Sequence, residues 1–219
     1  MRSKSINGIV DKFEQLAEGF ADRVSANADF YYDRRFVIST GWGRLIQPGD
    51  SLLELGCGDG YLAQLFVQYG LKYRGVDISP KMVAAAERRF EKARLKGDFI
   101  IADFVRRPLS DSFDAIVSFQ TFFEYVADPL TELKRLRRRV RKKVVMDLNP
   151  RGGISLEQGI ELFKKAGFRN VAWRPFFIPQ RKKLPITLLK TLVVCEKIPV
   201  LPKLLLIWKF LCLLKGETD

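Results

Sequence analysis

A chain of 219 residues is long for one domain and short for two, so one core with an accessory segment is expected. Its 47% hydrophobic and 29% charged residues exclude a disordered tail protein, and a globule this size buries about 70% of its unfolded surface without a disulfide or metal staple. The net charge of +13 is uneven, +3 over residues 1–110 and +10 over 111–219, which points to an anionic partner or to a merely basic soluble surface.

Ile6, Ile9, Val10, Phe13, Leu16, Ala17 and Phe20 recur at helical spacing and predict an amphipathic helix over 6–20. A second helix is predicted over 29–45, carrying the run Tyr31-Tyr32-Asp33-Arg34-Arg35-Phe36. Pro48-Gly49-Asp50 is a turn where the pattern changes, so 1–47 reads as an N-terminal helical cap or lid and 48–219 as the core. Five short apolar runs follow, at 51–55, 73–78, 98–104, 113–119 and 143–148. Helical segments at 61–69, 80–95 and 128–142 separate them, whereas 105–112 is too short for a full helix. Ser155 and Gln158 form a capping box opening a helix that ends at Gly167. Strands at 170–178 and 208–214 complete the series, with 179–207 as a helical insertion between them. The alternation predicts an α/β fold: a doubly wound, Rossmann-like, mostly parallel seven-stranded sheet with helices on both faces.

Histidine is absent, which removes Ser-His-Asp, Cys-His and His-ligated metal chemistry. Cys57, Cys195 and Cys212 lack CxxC spacing, so neither a disulfide framework nor a zinc site is expected. The segment MRSKSINGIVDKFEQ has no apolar core of a secretory signal. A reducing, cytoplasmic setting is therefore expected, with no transmembrane helix.

The strongest local signal is Leu52-Leu53-Glu54-Leu55-Gly56-Cys57-Gly58-Asp59-Gly60. Glycines alternate between an apolar strand and a helix, where a tight turn around a ligand needs their conformational freedom. The spacing differs from the dinucleotide fingerprint. Glu54 and Asp59 would repel a pyrophosphate, yet they suit an ammonium or sulfonium group.

This loop resembles motif I of the class I S-adenosylmethionine-dependent methyltransferases of the small-molecule and lipid-modifying type. The rest of the core follows that family's order, and the resemblance covers residues 48–178 closely. It implies S-adenosylmethionine as cofactor, S-adenosylhomocysteine as product and no metal. Glu54, Gly56, Cys57, Gly58 and Asp59 would then form the cofactor loop. Asp77, with Ile78, would meet the ribose hydroxyls, and a carboxylate accepts two such donors well. The resemblance places Asp103 at the adenine amino group and Phe104 on its ring, with Ser118 and Phe119 at the exit of the fourth strand. Tyr31, Tyr32 and Arg35 would form a lid over the cofactor carboxylate. Each has an ordinary structural alternative: a helix cap for Asp77, a turn for Asp103, aromatic packing for the tyrosines.

Methyl transfer is an in-line attack on an electrophilic methyl, so the protein chiefly positions the nucleophile and excludes water. A base is needed only where the acceptor's proton must leave, and Asp, Glu or Tyr can serve. Candidates are Gln120, Glu124, Tyr125, Asp147 and Asn149. Where many relatives have Glu-His, this chain has Glu124-Tyr125, which leaves a histidine-based mechanism without its base. Asn149-Pro150 superficially matches an amino-methylating signature, but after the wrong strand.

Lys134, Arg135, Arg137, Arg138, Arg139, Arg141, Lys142 and Lys143 crowd one helix and the entry to the fifth strand, as a solvated face or a phosphate-binding patch. Residues 179–214 are dense in Leu, Ile and Val, but Lys190, Glu196, Lys197, Lys203 and Lys209 interrupt them. No charge-free run approaches the roughly 20 residues that span a bilayer. Apolar faces with spaced lysines suit an interfacial segment contacting an anionic membrane surface, a lid over a greasy substrate, or a dimer interface. The expected activity is methylation of a small amphipathic or lipid-linked acceptor. A nucleic-acid methyltransferase and a non-catalytic cofactor-binding protein are the alternatives.

Overall fold

The computed structural model describes residues 6–17, 20, 27–42, 46–107, 110–179, 182–198 and 210–218. Helices α1 (Ile6–Leu16) and α2 (Ala28–Gly41) precede β1 (Ser51–Leu55), α3 (Tyr61–Gln68), β2 (Lys72–Asp77), α4 (Pro80–Lys92) and β3 (Asp98–Ile101). The second half runs β4 (Phe113–Ser118), the single turn α5 (Phe122–Tyr125), α6 (Pro129–Arg137), β5 (Val140–Leu148), α7 (Leu156–Lys165), β6 (Arg169–Phe176), α8 (Ile186–Cys195) and β7 (Leu211–Glu217).

The seven strands form one sheet in the order β3-β2-β1-β4-β5-β7-β6. Strands β1 to β5 pair in parallel, and β7 runs antiparallel between β5 and β6. This is the doubly wound sheet expected from the strand–helix alternation. The strand order reverses between β1 and β4, which opens a crevice at their carboxyl ends.

Both sheet faces are covered, so the central strands read as continuous apolar runs. On one face Leu52, Val117, Val145 and Leu213 pack with Tyr31 and Ile38 of α2, Phe66 of α3 and Leu189 of α8. On the other, Leu53, Ile116, Val144 and Leu214 pack with Leu133 of α6 and Phe163 of α7. Neighbours such as Leu52 and Leu53 therefore point to opposite cores, the period-two signature of a strand. The helices start where the sequence specifies. Ser79 accepts the Met82 N–H ahead of Pro80, and Ser155 and Gln158 close a reciprocal capping box.

Several boundaries differ from expectation. β3 stops at Ile101: the Ala102 N–H makes the last ladder bond, to Asp77 O (2.9 Å), and the Asp103 side chain then accepts the Val105 N–H (3.0 Å) in a turn. α6 ends at Arg137 rather than 142; Arg138 and Arg139 close tight final turns, and β5 already begins at Val140. β7 runs on to Glu217 rather than ending at 214, since Glu217 still pairs with Lys143 in the ladder. Residues 18–19 of the first expected helix, 43–45 of the second, 180–181 and 199–207 of the insertion and 208–209 of the last expected strand lie outside the described residues.

The basic run is largely engaged within the protein. Arg135 meets Glu132 and Val105 O; Arg137 donates to Gly167 O (3.1 Å) and Thr218 O (2.6 Å). Arg139 donates to Ser110 O, Arg141 pairs with Asp114 (2.9 Å), Lys142 with Asp50 (2.7 Å), and Lys143 donates to Trp42 O (2.8 Å). Apart from the Arg135 bond to Val105 O, which reaches the loop after β3, these bonds tie the amino ends of the strands together, away from the crevice.

Candidate active site

The crevice is a cavity of about 740 Å³, walled by the loops after β1, β2, β3 and β4 and by the inner face of α1. Its floor is the glycine loop. Gly56 and Cys57 both donate to Val76 O, at 2.7 and 3.1 Å, which pins the loop to the end of β2. Gly56 has φ +77°, and a Cβ there would overlap the Thr121 side chain, so no larger residue fits.

Glu54 is buried at the loop's entrance and lines the cavity. Its Oε2 accepts the Tyr73 hydroxyl at 2.7 Å. Burial pushes its carboxyl up to about 8, against the lowering effect of the Tyr73 bond and Arg35. Asp59, also expected to face a cation, turns to Arg89, whose Nη2 lies 2.7 Å from Oδ2 and whose Nε donates to Asp59 O.

Asp77 ends β2. Its Oδ2 accepts Gly58 N–H and its Oδ1 accepts Ser79 N–H, both at 2.9 Å. It therefore braces the loop and the start of α4, and with Ile78 it also lines the cavity. Burial raises its carboxyl above the ordinary range. Asp103 and Phe104 line the same wall, with Asp103 held by the Val105 N–H and by Arg106 at 3.6 Å.

Tyr32 lines the cavity beside Tyr61, their rings 4.7 Å apart. One helical turn on, Arg35 is fully buried. Its guanidinium lies 4.0 Å from the Tyr31 ring, 5.1 Å from Phe119 and 5.3 Å from Phe176, and Nη2 meets Asp147 Oδ2 at 2.6 Å. Nε and Nη1 have no hydrogen-bond partner among the described residues, although Arg35 lines the cavity. Buried donors in that condition are costly, and an anion in the cavity would satisfy them.

Gly56, Cys57, Gly58, Phe119, Gln120, Glu124 and Tyr125 also line the cavity. Tyr125 meets the edge of Phe13 (5.8 Å), and Lys12 Nζ lies 3.5 Å from its hydroxyl; burial pushes that hydroxyl up to about 12. Ser118, Asp147 and Asn149 stand outside the lining. Ser118 is fully buried and donates to Leu55 O (2.9 Å), joining β4 to β1. Asn149 accepts the Arg151 N–H and caps a short 3-10 turn. Residues not anticipated from sequence include Thr121, Leu62, Met82 and the α1 side chains Ile9, Lys12 and Phe13. The apolar stripe of α1 was legible, but nothing local showed that it faces a cavity.

A doubly wound sheet with a glycine loop after β1 and a carboxylate at the end of β2 defines a domain that binds a nucleoside-bearing cofactor. Residues 52–143 match the family model described as a methyltransferase domain. The malonyl-[acyl-carrier protein] O-methyltransferase of Anoxybacillus flavithermus is 27% identical over 136 residues, covering 61% of this chain and 51% of that protein. The ubiquinone biosynthesis O-methyltransferase of Xanthomonas campestris is 24% identical over 127 residues, covering 57% and 53%. The chain thus spans about half the length of the curated relatives it matches. Among solved structures, Haemonchus contortus phosphoethanolamine N-methyltransferase 2 with S-adenosylhomocysteine shares the fold at a TM-score of 0.70 and 17% identity, over 99% of this chain and 60% of that one. The methyltransferase domain over residues 52–143 and the shared fold make the chain similar to the class I S-adenosylmethionine-dependent methyltransferases, whose cofactor is S-adenosylmethionine.

Proposed function

We propose that the chain transfers a methyl group from S-adenosylmethionine to a small amphipathic or lipid-linked acceptor. The observation that carries this reading is the two-ended cavity: a polar end with Glu54, Asp77 and the unpartnered Arg35 donors, and an apolar end under α1. Glu54 faces the cofactor's cationic end, Arg35 takes its carboxylate, Asp77 and Ile78 the ribose, and Asp103 and Phe104 the base. Gly56, Cys57 and Gly58 let the backbone approach, and Tyr32 and Phe119 shield the site from water. The cofactor supplies an electrophilic sulfonium methyl.

The chain's own residues supply position and dryness. Ile9, Phe13 and Phe20 give the acceptor's apolar body a wall, and α1 acts as the lid. Gln120 and Tyr125 orient the acceptor; with its hydroxyl pushed up to about 12, Tyr125 keeps its proton at neutral pH and serves as a donor. Glu124 is the proton acceptor where the nucleophile must lose one.

The reading extends to location. Among the described residues no helix is long and apolar enough to cross a membrane. Ile186, Leu188, Val194 and Ile198 are nevertheless exposed in and beside α8, interspersed with exposed Lys190 and Lys197. This pattern supports peripheral contact with an anionic bilayer, where a lipid-linked acceptor would lie.

The test is incubation of the protein with methyl-labelled cofactor and lysate, followed by separation into organic-extractable, small aqueous, RNA and protein fractions. Label in the organic or small-molecule fraction is expected. Label in RNA would replace the acceptor class, and cofactor binding without label in any fraction would favour a non-catalytic binder.

A further inference from the structure

We infer that Asp147 is a positioning residue that locks the cofactor-facing Arg35 and the acceptor-side turn after β4 into one mechanical unit. The inference rests on the methyltransferase reading only in assigning the cofactor to the Arg35 end.

Asp147 is buried at the end of β5 and stands behind the cavity wall, so it touches neither reactant. Its two oxygens have separate tasks. Oδ2 holds Arg35 Nη2 at 2.6 Å, and Oδ1 accepts the Gln120 backbone N–H at 2.7 Å. These partners lie 112 and 27 residues away in the chain, on α2 and on the exit of β4.

Each partner depends on that carboxylate. The rings of Tyr31, Phe119 and Phe176 surround the Arg35 guanidinium, and Asp147 is its ion-pair partner among the described residues. With Nη2 fixed, Nε and Nη1 are the donors left over in a side chain that lines the cavity. Gln120 adopts φ +56°, a left-handed conformation that a non-glycine residue holds only when its surroundings enforce it. Its N–H bond to Asp147 is that enforcement. The next residue, Thr121, abuts Gly56 and accepts the N–H groups of Glu124 and Tyr125, so the whole of α5 hangs from this anchor. One carboxylate thus sets both the aim of Arg35 and the placement of Gln120, Glu124 and Tyr125.

Both partners are donors, so an amide at this position can accept from one only and must present its NH2 to the other. The test compares wild type, Asp147→Asn, Arg35→Gln and the double variant. S-adenosylhomocysteine affinity is measured by calorimetry, and amide hydrogen exchange is read over residues 118–126. Asp147→Asn is expected to weaken binding at least tenfold and to speed exchange over 118–126 in the ligand-free protein at least tenfold. Arg35→Gln should weaken binding comparably while leaving that exchange within about threefold of wild type. The double variant should bind no more weakly than the weaker single, because the two side chains act as one unit.

Should Asp147→Asn fail to fold around an unpaired buried cation, the double variant removes both charges and retains the comparison with Arg35→Gln. Wild-type exchange over 118–126 in a variant lacking Asp147 would overturn the anchor on Gln120, and additive losses of affinity would overturn the link to Arg35. Failure of the wild-type protein to bind S-adenosylhomocysteine would instead remove the cofactor reading, while the exchange comparison still decides the anchor.

Discussion

Tyr73 donates its hydroxyl to Glu54 across 2.7 Å in a region where both side chains are buried. The bond favours the carboxylate, yet burial dominates and carries Glu54 up to about 8, so the acid is neutral at pH 7 until a cation joins it. S-adenosylmethionine affinity should therefore rise as pH increases from 6 to 8, by up to about tenfold per unit, as less work is needed to remove the proton. Calorimetry across this range should show proton release on binding. Glu54→Gln should abolish both effects, and a slope retained in that variant would assign the titration elsewhere.

The same group sets part of the stability profile. The folded state holds the Glu54 proton up to about pH 8, whereas an unfolded glutamate loses it near 4.5, so this contribution is complete below 4.5 and is lost as pH rises to 8. Lys143 has the opposite sign in the next window. Burial first, then Lys215, lowers its amine from 10.5 to about 8, so unfolding is favoured by protonation and stability recovers between pH 8 and 10.5. Thermal melts should show a stability minimum near pH 8. Lys143→Met should raise stability at pH 7 by about 1–2 kcal/mol, the lost bond to Trp42 O offsetting part of the relieved desolvation. A destabilised Lys143→Met protein would mean that the amine's hydrogen bond outweighs its burial.

The parts of this molecule legible in its sequence are those whose cause is local. The glycine loop could be read because three alternating glycines between strand and helix have few other uses. The capping box at Ser155 and Gln158 and the buried runs of β1, β2 and β4 were legible for the same reason. The Arg35–Asp147 pair was not, since its partners are 112 residues apart and either side chain alone resembles a surface charge. The basic run hid the start of β5 in the same way, because Arg141 and Lys142 read as the end of a helix yet lie on the strand, paired with Asp114 and Asp50. Lys143 was legible as a strand residue but not as a buried one, since Trp42 O, which satisfies its amine, is a group the run itself does not reveal.

Gly56 offers a direct test of the floor of the cavity. Its φ of +77° is strained for any other residue, and an added Cβ would displace Thr121, which carries the start of α5. Gly56→Ala should cost about 1–3 kcal/mol in stability. It should also largely abolish the stabilisation of about 2.7 kcal/mol that S-adenosylhomocysteine gives the wild type at 100 times its Kd. Thermal unfolding with and without ligand measures both quantities, and an undiminished ligand shift would show that the loop tolerates displacement.

The exposed side of α8 is testable without knowledge of the acceptor. Lys182, Lys183, Lys190 and Lys197 are all exposed around the apolar residues Ile186, Leu188, Val194 and Ile198, while Glu196 turns inward to Arg34 at 2.8 Å. The outward charge is thus positive, and each lysine near an anionic bilayer contributes about 1 kcal/mol. The protein should co-sediment with phosphatidylglycerol-containing vesicles at low salt and not with phosphatidylcholine alone. Val194→Glu combined with Lys190→Glu should remove most of that binding while leaving S-adenosylhomocysteine affinity intact, because both side chains point away from the cavity walls. Binding that survives the double change would move the membrane contact off α8. An absence of binding accompanied by a concentration-dependent dimer on size-exclusion chromatography would assign the apolar face to a second copy of the chain.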